Sequence, residues 1–187
     1  NLENTKKLVA KYKDDDRIFA WAVQDEPLGA GVTPEKMGWL EDSYRAIREA
    51  DPYHPIYVLD FDNHKYTVRY GDVYVADIYA HGNDTRFVSN VIEPLNKMGR
   101  INTYELAATY KQNNAFPPTN TIRGSIYRAF ESGSSGVGYY SISDAIGHDY
   151  GDVRTPLYKL DMWPDFVTLN KVEIPLLYDY FVNGKGT

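Results

Sequence analysis

The chain predicts an α/β fold, a parallel (β/α)8 TIM barrel of which its 187 residues supply about five βα units. Three observations predict it. Strand-like and helical apolar periods alternate along the chain, which calls for parallel strands joined by right-handed crossovers. The strand-like runs are nearly continuous in apolar residues, as in strands covered on both faces. The strand ends read QDEP, DFDNH, DIYAHG, TYELAA and YYSISD, all polar or ionisable, while the strand starts are not. A barrel gathers function at the carboxyl ends of its strands. An open doubly wound sheet would carry a glycine-rich turn after its first strand, where AWAVQDEPLGAG carries acids.

The elements follow in order. Leu2, Leu8, Val9 and Tyr12 recur at helical spacing over residues 2–14. Residues 18–24, IFAWAVQ, read as the first strand. Thr33-Pro34-Glu35 opens a helix with a hydroxyl cap, proline at the first helical position and an acid in the first turn. Met37, Leu40, Tyr44 and Ile47 form its apolar stripe, and Asp51-Pro52 stops it. Residues 56–59 and 73–79 are the next strands, and a helix over about 86–98 gathers Val88, Val91, Ile92 and Leu95. The fourth strand, 101–104, runs into Glu105. A polar loop over 111–120 precedes a helix carrying Ile122, Ile126, Ala129 and Phe130, and the fifth strand covers 136–142. After a loop over 143–160, a last helix runs from Trp163 to Val182, and Pro175 is expected to kink or split it.

Five strands cannot close an eight-stranded barrel, which takes about 250 residues. The expectation is a single domain, 1–187, forming the C-terminal portion of a barrel. A second polypeptide or a missing N-terminal segment would complete it and cover the apolar surface left at the two edges. Counted this way, the strand ending at Gln24 is barrel strand 4 and the one ending at Tyr104 is strand 7.

At 43% hydrophobic and 25% charged residues, the composition is that of a folded chain. No apolar stretch approaches the roughly 20 residues of a membrane span. A net charge of −6 argues against nucleic acid or an anionic membrane surface as partner. Cysteine is absent, which removes disulfides, thiol catalysis and thiolate metal sites. His54, His64, His81 and His148 lack metal-ligand spacing, so no metal and no cofactor is expected. The Asp14–Asp16 run reads as a solvated turn, and Asp60 and Asp62 as loop-capping acids. Seventeen tyrosines either cover a core or present rings and hydroxyls to a ligand with flat apolar faces.

Asp25 and Glu26 close an apolar strand just before Pro27. With the strands counted as above, LENTKKLVAKYKDDDRIFAWAVQDEP resembles the part of clan A glycoside hydrolases in which strand 4 leads to Asn-Glu-Pro. ADPYHPI, DVYVADIYAHG, SGSSGVGYYSISD and WPDFVTLNKVEIPLL are similar to the segments around strands 5, 6 and 8 and the last barrel helix. The resemblance implies Glu26 as acid/base, Glu105 as nucleophile and a carbohydrate substrate. It departs at Asp25, where the clan has an asparagine that contacts the sugar 2-hydroxyl. It departs again at strand 8, where Tyr139, Tyr140 and Ser141 occupy the place of a tryptophan. Asp25, Tyr79, His81, Tyr104 and Tyr140 are the substrate-binding candidates. The accompanying expectation is a secreted enzyme of polysaccharide degradation, extracellular or in the cell envelope.

The chemistry also follows from the residues. Cleaving a glycosidic bond needs a proton for the leaving oxygen and a negative group on the opposite face of the sugar. Glu26 and Glu105, on strands 4 and 7 of a barrel mouth, could face one another over a substrate and supply both. Carboxyls about 5–5.5 Å apart would give retention, and a wider separation that admits water would give inversion. Asp25, if turned inward, would raise the Glu26 pKa by like-charge repulsion. Two alternatives stand beside this one. Asp25-Glu26 looks like the pair of a substrate-assisted N-acetylhexosaminidase, and a non-catalytic carbohydrate-binding barrel would keep the fold without the reaction. The orientation of Asp25 distinguishes the first alternative.

Overall fold

A computed structural model of the chain describes residues 1–29, 31–60, 63–78, 85–99, 102–108, 118–140 and 163–185, with 102–108 and 140 by backbone alone. Contacts divide it into two compact units, Asn1–Ala76 with Met98–Asn102, and Asp77–Lys97 with Thr103–Thr187.

In the first unit, α1 (Leu2–Tyr12) begins where the Asn1 side chain accepts a hydrogen bond from the Glu3 amide at 3.0 Å. The acidic run after it is a turn, closed by Arg17 donating to both carboxylate oxygens of Asp15. Strand β1 (Trp21–Asp25) starts three residues later than the apolar run suggests, and Phe19 stands 77% exposed ahead of it. The Thr33 hydroxyl accepts from the Lys36 amide at 3.3 Å and opens α2 (Pro34–Ala50), as its sequence predicts.

Strands β2 (Ile56–Asp60) and β3 (Val73–Ala76) follow, and β1, β2 and β3 pair in parallel in chain order. The link between β2 and β3 is shorter than a full helical crossover: α3 (His64–Thr67) and one 3-10 turn (Val68–Tyr70). It re-enters the sheet at Gly71, where a Cβ would lie 3.2 Å from backbone atoms of Ile56, Val58 and Val73. The adjacent Asp72 carboxylate accepts from the Ile56 amide at 2.8 Å and pairs with Arg48 of α2.

One face of this sheet is covered. Val9, Ile47 and Ile56 form a buried cluster with Trp21, Val23, Tyr44 and Ala50 packed on it. Val58, Tyr74 and Ala76, on the same pleat, are fully buried. The other pleat carries Ala22, Tyr57, Leu59, Val73 and Val75, apolar residues left exposed or half-buried. Both faces are therefore apolar, as a parallel sheet requires, and the helices of this unit cover one of them.

The start of β1 is tied to the end of α2 by Asp51, which is 1% exposed. Its carboxylate accepts from the Trp21 indole at 2.8 Å and from the Tyr53 and His54 amides at 2.9 and 3.1 Å, and it meets His54 Nδ1 at 2.6 Å. Burial disfavours the charge, but these donors together outweigh it and hold the Asp51 pKa well below the ordinary carboxylate value.

In the second unit, α4 (Arg86–Lys97) buries Val88, Val91, Ile92 and Leu95, the four residues whose spacing predicts it. Strands β4 (Asn102–Ala108) and β5 (Gly136–Tyr140) pair in parallel, and α5 (Thr119–Glu131) connects to β5 through Gly133 at φ +97°. The last helical stretch runs as α6 (Trp163–Thr168), a wide π-type turn (Leu169–Glu173), α7 (Ile174–Leu177) and a second wide turn (Tyr178–Val182). The expected interruption thus takes the form of a wide turn ending just before α7, in which Pro175 sits. Ile122, Ile126 and Phe130 of α5 join Leu169 and Leu177 in the core, with Val137 and Tyr139 of β5 packed against them. Arg123 and the Tyr127 hydroxyl, both on α5, meet the Glu173 carboxylate at 3.0 and 3.1 Å. No helix among the described residues is long and apolar enough to cross a membrane.

Candidate active site

The strand β1 does not end as a simple pleated strand. Trp21 pairs with Ile56 and Ala22 with Tyr57, but the next partner of Leu59 is Asp25, so Val23 and Gln24 together oppose Val58. This bulge changes which residues share a face. Without it, Asp25 would follow Trp21 and Val23 toward the helices. With it, Asp25 lies beside Leu59, on the face turned away from the Val9–Ile47–Ile56 cluster, and it is exposed.

Glu26 follows with a left-handed backbone, φ +40°, which is uncommon outside glycine. Its amide still donates to the Leu59 carbonyl at 3.1 Å, and its own carbonyl accepts from the Gly29 amide at 3.0 Å. Pro27 and Leu28 are buried inside the turn so formed. The side chain lies against Gly29: a Cβ there would come within 3.2 Å of Glu26 Oε2 and 3.3 Å of its Cβ. Glycine at 29 therefore leaves the space the carboxyl occupies. Among the described residues, neither the Asp25 nor the Glu26 side chain makes a hydrogen bond or ion pair. Two acids at a strand end, unneutralised by any described cation, are free to act on a bound molecule.

Neighbouring groups fix this rim of the first unit. Asp60, at the end of β2, accepts the Asn63 amide at 3.3 Å, so it caps the loop as expected. The Tyr74 hydroxyl donates to the Asp60 carbonyl at 3.0 Å in the buried layer. The Asn63 side chain donates to the Leu28 carbonyl at 3.1 Å. The sequence marks neither Asn63 nor Gly29 as part of the site, because both act through backbone geometry, which carries no residue-type pattern. An Asn three residues after a strand-end Asp is the one trace.

The remaining candidates lie in the second unit or outside the described residues. The fourth strand extends through Leu106, Ala107 and Ala108, so Tyr104 and Glu105 are its third and fourth residues rather than its end. In register, Tyr104 pairs with Gly136 and Glu105 with Val137, the latter packed against the Ile122–Phe130 core. Tyr140 is the last residue of β5 and pairs with Ala108. Tyr139 belongs to the helix side, its ring 4.9 Å from Phe166 in an edge contact. Tyr79, His81, Asp62 and Ser141 lie outside the described residues. No group of three or more His, Cys, Asp or Glu among the described residues is placed to hold a metal ion.

No family model matches the chain, and no curated protein matches it in sequence. Solved structures do match in fold. A β-galactosidase from Bacillus circulans sp. alkalophilus aligns over 97% of this chain at 11% identity, with a TM-score of 0.71. A GH5_18 protein from Streptomyces cattleya, in complex with Manb1-4GlcNAc, aligns over 86% at 13% identity and a TM-score of 0.60. A β-glucuronidase from an uncultured Clostridium sp. aligns over 82% at 13% identity and a TM-score of 0.58. The chain spans 39%, 48% and 32% of these three proteins, respectively. What it shares with them is a parallel α/β fold.

Proposed function

We propose that the chain carries the carboxylates of a glycoside-hydrolase site in the C-terminal part of a (β/α)8 barrel, and that it cleaves O-glycosidic bonds with retention. The observation that carries this reading is Glu26, an unneutralised carboxyl on a bulged strand end, in a fold shared with glycosidases. Glu26 gives its proton to the glycosidic oxygen as the bond to C1 breaks, and the Glu105 carboxylate attacks C1 from the opposite face. Glu26, now ionised, takes a proton from water, which attacks C1 and frees Glu105. Asp25, Tyr79, His81, Tyr104 and Tyr140 bind the sugar. Further βα units, on the same polypeptide or another, cover the apolar pleat of Ala22, Tyr57, Leu59, Val73 and Val75.

One observation favours a second reading. The bulge turns Asp25 to the face away from the helices, which suits an acid that would accept a hydrogen bond from a substrate acetamido N–H. The acetamido oxygen would then attack C1, forming a cyclic oxazolinium, while Glu26 protonates the leaving oxygen; Glu105 would be a spectator. The register of Glu105 beside Val137, in mid-strand, agrees better with this reading than with a nucleophile at a strand end.

Release of nitrophenol from a panel of nitrophenyl glycosides that includes an N-acetylhexosaminide tests both. Glu105→Gln abolishes turnover under the two-carboxylate reading and spares it under the other. Asp25→Asn has the reverse pattern, with the loss confined to the acetamido substrate. A chain that cleaves none of the panel, with its barrel completed, overturns the enzymatic reading.

A further inference from the structure

The turn that carries Glu26 is held from another strand end. Leu28 is 0% exposed, and its carbonyl accepts the side-chain amide of half-buried Asn63 at 3.1 Å. Asn63 is itself fixed on three sides. Its amide N–H donates to Asp60 Oδ1 at 3.3 Å, and its carbonyl accepts the Tyr66 and Thr67 amides at 2.9 and 3.2 Å and the Thr67 hydroxyl at 3.2 Å. The Asp60 carbonyl is anchored in turn by Tyr74. A left-handed backbone at a residue with a side chain persists only where its surroundings over-determine it. A buried turn carbonyl held by a fixed side-chain donor is such a constraint.

We propose that Asn63 is a positioning residue: by holding the Leu28 carbonyl it keeps the Glu26–Gly29 turn closed, Glu26 left-handed and its carboxyl against Gly29. Without that donor the turn relaxes to an ordinary backbone and the carboxyl moves with it. The catalytic half of the inference rests on the reading of Glu26 as proton donor; the conformational half does not.

Two measurements separate the halves. The first compares melting temperatures of the parent, Glu26→Gly, Asn63→Asp and the double variant. Asn63→Asp keeps the shape and removes the donor. Glu26→Gly raises the melting temperature of the parent, because glycine carries no left-handed penalty. It fails to raise that of Asn63→Asp, in which the turn has already relaxed. Asn63→Ala replaces Asn63→Asp in a parallel set, so that repulsion between a new carboxylate and the Leu28 carbonyl is not mistaken for the effect. Equal rises in both backgrounds overturn the inference. The second is a split of kcat from KM on glycosides with poor and activated leaving groups. Asn63→Asp lowers kcat on the poor leaving group by roughly 10–10²-fold, leaves KM nearly unchanged and spares the activated substrate. Asn63→His, which keeps an N–H near the same place, restores most of the loss. A loss in KM alone, or equal losses on both substrates, overturns the positioning role. A parent with no glycosidase activity removes Glu26 as donor and leaves the melting comparison to decide on Asn63.

Discussion

Glu26 sits in a backbone conformation that disfavours every residue except glycine, and that strain is measurable. With φ at +40°, its Cβ crowds the following carbonyl, which costs about 1–2 kcal/mol. Glycine escapes this cost but surrenders about 0.5–1 kcal/mol through the extra freedom of its unfolded chain. The balance predicts that Glu26→Gly is more stable than Glu26→Ala by about 0.5–1 kcal/mol, since alanine removes the carboxyl and keeps the Cβ. At an ordinary strand or helix position the order is the reverse, by a similar amount. For a chain of this length the two expectations differ by roughly 2–8 °C in melting temperature. The assay is thermal unfolding of the two variants, followed by circular dichroism under identical buffer conditions. Under the proposed function neither variant retains the proton donor, so both should lose activity while one gains stability. An alanine variant at least as stable as the glycine variant would refute the strained turn and the reasoning built on it.

Other expectations follow from single contacts. Asp51 has a folded pKa below its ordinary value, so its contribution to stability is full above about pH 4 and is lost as pH falls below that. Asp51→Asn should therefore destabilise at neutral pH by roughly 1–3 kcal/mol and show a smaller drop in melting temperature between pH 6 and pH 3 than the parent. Gly29→Ala places a methyl 3.2 Å from Glu26 Oε2 and should lower kcat by up to about 10²-fold with little change in melting temperature. Gly133 has φ +97°, and a Cβ there would clash with Asn96 Nδ2, which donates to the Ser132 carbonyl. Gly133→Ala should cost about 1–3 kcal/mol by chemical denaturation; a neutral result would show that this link between α4 and the end of α5 is not as described.

The elements most legible in the sequence were those with a chemical marker or a sustained period. Thr33-Pro34-Glu35 marks the start of α2 because a hydroxyl, a missing N–H and an acid each suit a helix start. Val88, Val91, Ile92 and Leu95 mark α4 by spacing alone. The extension of β4 was not legible, because Leu-Ala-Ala after Glu105 serves a strand or a helix equally. Nor was the bulge in β1: WAVQD is compatible with a plain strand, and the extra residue is set by pairing with β2 rather than by composition. The same limit applies to the site. Asp25 and Glu26 were visible as acids at an apolar strand end, whereas the left-handed backbone and the Asn63 bond to Leu28 depend on contacts distant in sequence.

The most direct test of the central claim is Glu26→Gln, measured on one glycoside with a poor leaving group and one with an activated leaving group. Glutamine keeps the side-chain shape and cannot give up a proton to the leaving oxygen. The expected result is a loss of roughly 10²–10⁴-fold on the poor leaving group, a much smaller loss in the glycosylation step of the activated one, and an unchanged melting temperature. Full turnover by Glu26→Gln of a poor-leaving-group substrate that the parent cleaves would contradict it.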